Sequence, residues 1–250
     1  MNNNKEVDIV KKSIANAYEF LHSVLPWKPL NSTNVHSRVL PYATLSPWLS
    51  DTDFLEIYEE IKDSTLVDIY RLYELWCISK QSADLEGDIL EVGVWRGGSG
   101  AVLAKAIQNF PDKKVFLADT FRGVVKAGVR DTVYVNGEHA DTSFQHVQKL
   151  ISKLSLKNVQ ILEGVFPEDT GSQITSKISL IHIDVDVFDS CKDIVSWAFE
   201  RLSKGSVIIF DDYGFQGCEG VKYFVDELRE NKDFLFIHNL NGHAIFIKLS

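Results

Sequence analysis

Between residues 87 and 250, short apolar runs alternate with stretches of helical periodicity, and no other feature constrains the fold as strongly. The runs are Asp88–Val94, Val115–Asp119, Val159–Leu162, Ile178–Asp184 and Ser206–Phe210. They are short, β-branched and nearly continuous, as strands buried on both faces should be. Helical patterns fall between them, near 98–109, 141–154, 189–202 and 217–230. This alternation predicts an α/β fold with a mostly parallel sheet and helices on both sides. The chain closes differently. Phe234–His238 and Ala244–Leu249 flank the turn-rich Asn239-Leu240-Asn241-Gly242, which predicts a C-terminal antiparallel hairpin and seven strands in all.

Residues 1–86 follow another pattern and are expected to form an N-terminal helical extension to the 87–250 domain. Val7, Val10, Ile14, Tyr18, Leu21 and Leu25 recur at steps of three or four, giving one helix an apolar face. Pro26 stops that helix. Residues 26–50 hold four of the six prolines and read as an irregular connection. A second helix starts at Asp51 or Thr52, either of which can cap it, and faces Phe54, Leu55, Tyr58 and Ile61 inward. A third runs from about Ser64 through Leu66, Ile69, Tyr73 and Trp76. These aromatic-rich helices suit core packing, an active-site cover or a homodimer interface.

Composition excludes several classes. With 45% hydrophobic and 24% charged residues, the chain has enough apolar surface to fold. A net charge of −9 repels nucleic acid and anionic membranes. Cys77, Cys191 and Cys218 are odd in number and lack CxxC spacing, so a disulfide framework or structural zinc is not expected. The N-terminus lacks the apolar core of a signal peptide, and no apolar run approaches the roughly 20 residues of a membrane span. The expectation is a cytoplasmic protein.

The segment Gly87–Gly100, GDILEVGVWRGGSG, reads as a strand, a glycine turn and a helix start. Glycines let the backbone approach a ligand, and the helix N-terminus offers free N–H groups to an anion. The spacing is G-x-x-x-G-G-x-G rather than the G-x-G-x-x-G of dinucleotide binders. Glu91, at the strand end, can pair with an amino group, which S-adenosylmethionine carries and NAD lacks there. Gly93, Trp95, Gly97, Gly98 and Ser99 complete the expected turn contacts. Asp119 closes the second strand, where an acid can accept ribose hydroxyls, and Thr120 follows it. Gly164 and Phe166, after strand three, are expected to flank the adenine. The plainer readings are a turn needing glycine for packing and an aspartate that caps a helix.

Strand four ends in Asp184-Val185-Asp186 and strand five in Asp211-Asp212. The carboxyl ends of neighbouring parallel strands form one rim, so four aspartates converge there. Like charges so packed call for a cation, and hard oxygen ligands suit Mg²⁺, Mn²⁺ or Ca²⁺. Asp184, Asp211 and Asp212 are the candidate metal ligands, with Asp184 also beside the cofactor. His182 reads as an ordinary core histidine, and no His or Cys cluster suggests zinc.

Together GDILEVGVWRGGSG, FLADTFRG, LEGVFPEDT, IHIDVDVFDS and VIIFDDYGFQGC resemble the macrocin O-methyltransferase family over roughly residues 45–230. The resemblance implies a class I methyltransferase (Rossmann-like) fold, S-adenosylmethionine as methyl donor, Mg²⁺ dependence and a sugar hydroxyl as acceptor, in antibiotic biosynthesis. It maps the glycine turn onto Glu91, Gly93, Gly97 and Gly98, and the ribose acid onto Asp119. It makes Asp184, Asp211 and Asp212 the metal ligands and Asp186 the general base. Val185 stands where the family usually has glycine, and Phe188 where it often has tyrosine. Residues 124–141 match poorly and are expected to form a lid, in which His139 is a rival base. Other classes remain open at this point: a nicotinamide-dependent oxidoreductase, a metal-dependent hydrolase using the aspartate rim, or a silent binding protein.

Overall fold

The computed structural model describes residues 3–23, 27–28, 34–37, 39 and 43–250. They form two compact units, Met1–Leu45 and Ser46–Ser250. In the first, helix α1 spans Asn3–Ser23, and Trp27 and His36 exchange both backbone hydrogen bonds, at 2.9 and 2.8 Å. Val7, Val10 and Ile14 of the anticipated apolar face are about half exposed or more. Leu25, Pro26, Pro29 and Pro41 lie outside the described residues.

The second unit begins with α2 (Thr52–Ile61) and α3 (Ile69–Ser82). Asp51 caps α2 by accepting from Phe54 N at 3.1 Å. The third helix starts at Ile69, not near Ser64. Asp68 accepts from Tyr70 N at 2.9 Å and Arg71 N at 3.1 Å, satisfying the free N–H groups of a helix start. Leu66 is thereby left outside the helix and exposed.

Then come β1 (Asp88–Val92), α4 (Gly98–Ala106), β2 (Val115–Asp119), α5 (Phe144–Lys153), β3 (Val159–Glu163), β4 (Ile178–Ile183), α6 (Phe188–Ala198), β5 (Leu202–Phe210), α7 (Glu219–Leu228), β6 (Phe234–His238) and β7 (Ala244–Lys248). The sheet order is β3-β2-β1-β4-β5-β7-β6. The first five strands pair in parallel, and β7 runs antiparallel between β5 and β6. The anticipated seven strands and terminal hairpin are both present. Three short helical turns, at Pro47–Leu49, Gly171–Gln173 and Phe199–Arg201, complete the described elements.

Each face of the sheet has its own core. One packs Ile89, Leu117 and Leu180 beneath Phe54, Ile61, Leu72, Leu75, Trp76, Leu103 and Val147, so it draws on α2, α3, α4 and α5. The other packs Leu90, Ile181 and Phe210 against Phe188, Ile194 and Phe224 of α6 and α7. Helices α2 and α3 bury their apolar faces on α4 and so belong to the same compact unit as the sheet. No described helix is long and apolar enough to cross a membrane.

The parallel order turns back between β1 and β4, where ligand crevices of such sheets open. Gly93 follows β1 with a φ of +87°, and a Cβ there would lie 1.7 Å from the Asp184 carbonyl oxygen. Only glycine lets the two strand exits approach this closely.

Phe54 is fully enclosed. Phe54→Ala should lower unfolding stability by about 3–5 kcal/mol in urea. A loss below about 1 kcal/mol would place α2 outside the shared core.

Candidate active site

A cavity of about 310 Å³ opens at the β1/β4 exit, within the range of small-molecule sites. On one side it is lined by Gly93, Trp95, Ser99, Asp119, Thr120, Gly164 and Phe166, and on the other by Asp184, Asp186, Asp211, Asp212, Tyr134 and His139. Most residues expected from the sequence to bind a cofactor, a metal or a proton thus face one space.

Three expected turn residues do not line it. Gly97, with φ of +88°, lies against Val147. A Cβ on Gly98 would meet the Ser64 carbonyl at 2.6 Å, so this glycine serves close packing on the chain before α3. Glu91 is fully buried behind the turn, and its Oε1 lies 2.9 Å from His182 Nδ1. The side chain points to the same sheet face as Ile89, so it meets β4 rather than the cavity. A direct pairing of Glu91 with a ligand amino group, as its place at the strand end suggested, does not fit this geometry.

Asp119 lines the cavity and caps no helix; its hydrogen bonds go to the turn after β1 and to its own loop. Its Oδ2 accepts from Val94 N at 2.7 Å and Trp95 N at 2.8 Å, and its Oδ1 from Phe121 N at 2.7 Å. It therefore holds the glycine turn in shape. A carboxylate oxygen can accept two hydrogen bonds, which leaves Oδ1 one site for a ligand hydroxyl.

One carboxylate oxygen each from Asp184, Asp211 and Asp212 lie within 4.8 Å of one another. Burial, and then the charges of Asp211 and Asp212, push Asp184 well above the usual carboxylate range. Burial, and then Asp186 and Asp211, do the same to Asp212. Carboxylates so crowded ionise only beside a cation, and three hard oxygens suit Mg²⁺ or Mn²⁺. Asp186 sits one turn away with a left-handed φ of +64°, a conformation aspartate tolerates better than most residues. Its N–H donates to Asp212 Oδ2 at 3.0 Å. Burial raises its pKa, against the hydrogen bond from the Tyr134 hydroxyl.

Asp211 differs from its neighbours. Burial alone would raise its pKa, but His182, His243 and the charge on Arg71 hold it well below the usual range. His243 Nε2 lies 2.9 Å from its Oδ1, and Arg71 donates to its Oδ2. His182 Nε2 stands 3.5 Å from Oδ1, an ion-pair distance rather than a hydrogen bond. Burial disfavours charge on His182, yet Asp211 and Glu91 outweigh it and raise the ring to about 10. His182 is therefore a charged bridge from β1 through β4 to β5 rather than an ordinary core residue. With His243 it forms a histidine pair around Asp211 that no sequence spacing announced.

The 124–141 segment gives Val124, Val125, Tyr134 and His139 to the cavity lining and is tied to the body. Lys126 contacts Glu168 and lies 2.7 Å from Asp193. Ser190 Oγ donates to Val125 O at 3.1 Å, and Asp131 accepts from Phe188 N at 3.0 Å. The rings of His139 (φ +60°) and Tyr134 lie tilted to each other, 5.8 Å between centres, beside Asp186. Tyr134, Arg71, Glu74, His243 and Cys218 were missed from sequence. Cys218 Sγ lies 3.7 Å from Asp212 Oδ1, and burial, then Asp212, raises its thiol.

In chelator-treated protein, Asp184, Asp212 and His182 all have folded-state pKa values above their unfolded ones. Their stabilisation is fully present below the unfolded values and is lost as pH rises through the folded ones. Asp211, shifted downward, contributes stability that is fully present above its ordinary 3.8 and is lost only as pH falls below it, so it adds no slope in this range. The melting temperature should therefore fall from pH 6.5 towards 10, the span of the His182 shift. His182→Gln should flatten that slope, and a rising melting temperature would contradict this charge assignment.

The macrocin O-methyltransferase (TylF) family model matches residues 64–246. The chain is 30% identical over 168 residues to the 8-demethyl-8-(2,3-dimethoxy-α-L-rhamnosyl)-tetracenomycin-C 4'-O-methyltransferase of Streptomyces olivaceus, covering 62% of this chain and 64% of that one. It is 30% identical over 170 residues to the mycinamicin III 3''-O-methyltransferase of Micromonospora griseorubida, covering 62% and 66%. The matches thus span a little under two thirds of these relatives. Among solved structures, the O-methyltransferase NovP superposes with a TM-score of 0.66 over 75% of this chain and 83% of its own, at 23% identity, a likeness of fold. The matched stretch runs from the residues before α3 into β7, taking in the glycine turn and the aspartate rim, and the chain belongs to the macrocin O-methyltransferase family.

Proposed function

We propose that the protein is an S-adenosylmethionine-dependent, divalent-metal-assisted O-methyltransferase acting on a hydroxyl of a sugar or glycosylated natural product in antibiotic biosynthesis. The observation that carries this reading is the shared cavity, which joins the glycine turn and Asp119 to the carboxylate trio. Membership of the family and the sugar-methylating relatives support the acceptor class.

In this reading Gly93, Trp95, Ser99, Asp119 and Thr120 hold the cofactor, with Gly164 and Phe166 at its adenine. Phe166 is buried and braced edge-on by Trp197 at 4.7 Å, which fixes the ring for stacking. S-adenosylmethionine supplies a methyl group already activated as a sulfonium. Asp184, Asp211 and Asp212 would hold the cation, which lowers the pKa of an acceptor hydroxyl.

The remaining work falls to the chain. The cavity walls align the acceptor oxygen with the methyl carbon, which turns an encounter into an oriented displacement. Asp186 accepts the hydroxyl proton as the oxygen–carbon bond forms and the sulfur–carbon bond breaks. Its raised pKa favours holding that proton. The Tyr134 hydroxyl orients Asp186, and His139 stands beside Tyr134 as the second candidate base. The tethered 124–141 segment keeps water from the reacting groups. Three free cysteines suit a reducing, cytoplasmic setting. The exposed apolar residues of α1 support a homodimer through that helix, and Ile14→Glu should convert a dimer mass to a monomer mass in light scattering.

Calorimetric titration with S-adenosylhomocysteine should give micromolar affinity, which a hydrolase reading does not foresee. Asp211→Asn should abolish turnover while that affinity survives. Asp186→Asn should lower kcat by about 10²–10⁴-fold. Full activity in either variant would refute its assigned role.

A further inference from the structure

Asp211 is held from behind by two chain segments that lie far from it in sequence. Its Oδ1 lies 2.9 Å from His243 Nε2, and the other ring nitrogen of His243 contacts Glu74 Oε2. His243 is fully buried, and Asp211 nearly so. Glu74, on α3, also accepts from the side-chain amides of Asn239 and Asn241, the latter at 3.3 Å. These asparagines belong to the β6–β7 turn, so three contacts pin the turn and its histidine to α3.

The direction of β7 explains how this comes about. In the antiparallel β5–β7 pair, Phe210 is opposite Ala244. The residues that continue this register beyond the ladder are Asp211 and His243. A parallel neighbour would bring its own carboxyl end to the rim, and with it another strand exit. The antiparallel strand brings its N-terminal end instead, and so sets an imidazole beside the carboxylate.

We propose that His243 and Glu74 are positioning residues for Asp211. The chain Glu74–His243–Asp211 fixes the carboxylate so that its free lone pairs meet those of Asp184 and Asp212. This inference rests on the reading of that trio as a cation seat. The carboxylate can serve both purposes, because His243 and Arg71 each take about one of its roughly four acceptor sites. Groups behind metal ligands typically alter metal affinity by about 10–100-fold when removed.

The test uses the full chain and Mn²⁺ alone, with free Mn²⁺ read by electron paramagnetic resonance at fixed pH. S-adenosylhomocysteine affinity is measured in parallel. His243→Ala should weaken Mn²⁺ binding by about 10–100-fold and leave the S-adenosylhomocysteine affinity within about twofold. General loosening of the fold would weaken both. His243→Gln, whose amide can still donate to Asp211, should restore part of the Mn²⁺ affinity. Glu74 is on the partly exposed side of the contact, so Glu74→Gln tests the same chain if His243→Ala does not fold, and should give a smaller loss in the same direction. Unchanged Mn²⁺ affinity in folded His243→Ala, or in Glu74→Gln where that variant stands alone, would overturn the positioning role and leave the cation seat in place. Failure of the unsubstituted chain to bind Mn²⁺ would overturn both.

Discussion

Four aspartates crowded at the exits of two adjacent strands, two buried and two half-buried, cannot all remain ionised without a compensating cation, and the site is organised around that conflict. Asp184 and Asp212 meet it by holding protons more tightly than an ordinary carboxylate. Asp211 meets it with partners, taking Arg71, His182 and His243 as its neighbours. One carboxylate is thus held towards its charged form by protein partners, and the other two are held towards their neutral forms. The energetic logic is that of buried ion pairs, where removing one member leaves an uncompensated charge.

The same constraint binds α3 to the aspartate rim. Arg71 and Glu74 both lie on α3, a helix that caps the sheet face and lies before the first strand. Arg71 also rests 4.5 Å from the centre of the Phe215 ring, in the loop after Asp212. Helix α3 therefore does two jobs. It buries Leu72, Leu75 and Trp76 in the core, and its other side supplies charge to the rim. A second line of contact runs from the glycine turn. Glu91 leans on His182, and His182 faces Asp211, so β1 and the exit of β5 share one buried polar chain through β4.

Much of the fold was readable in the residues because strands buried on both faces leave a strong local signal. The runs at 115–119 and 178–184 coincide with β2 and with β4 plus its exit. The hairpin announced itself through Asn239–Gly242. Errors lay where local patterns compete. The helix expected near Ser64 begins at Ile69, because Asp68 captures the first N–H groups before the apolar periodicity does. That α2 and α3 share a compact unit with the sheet was not legible, because periodicity reveals an apolar face and not what covers it.

By itself the sequence determined the order of strands and helices, the glycine turn, and the convergence of Asp184, Asp186, Asp211 and Asp212 on one rim. These follow from backbone rules that act over a few residues and from the geometry of parallel strands. Only the tertiary structure decided which of these groups touch. It turned Glu91 away from the cavity, made Asp119 a brace for the turn, and raised His182 from filler to a charged bridge. It also set His243 on Asp211 and, behind it, Glu74, 169 positions from that histidine. The physical reason is that side-chain partners across a sheet are set by register and strand direction, and neither leaves a local trace in composition or spacing.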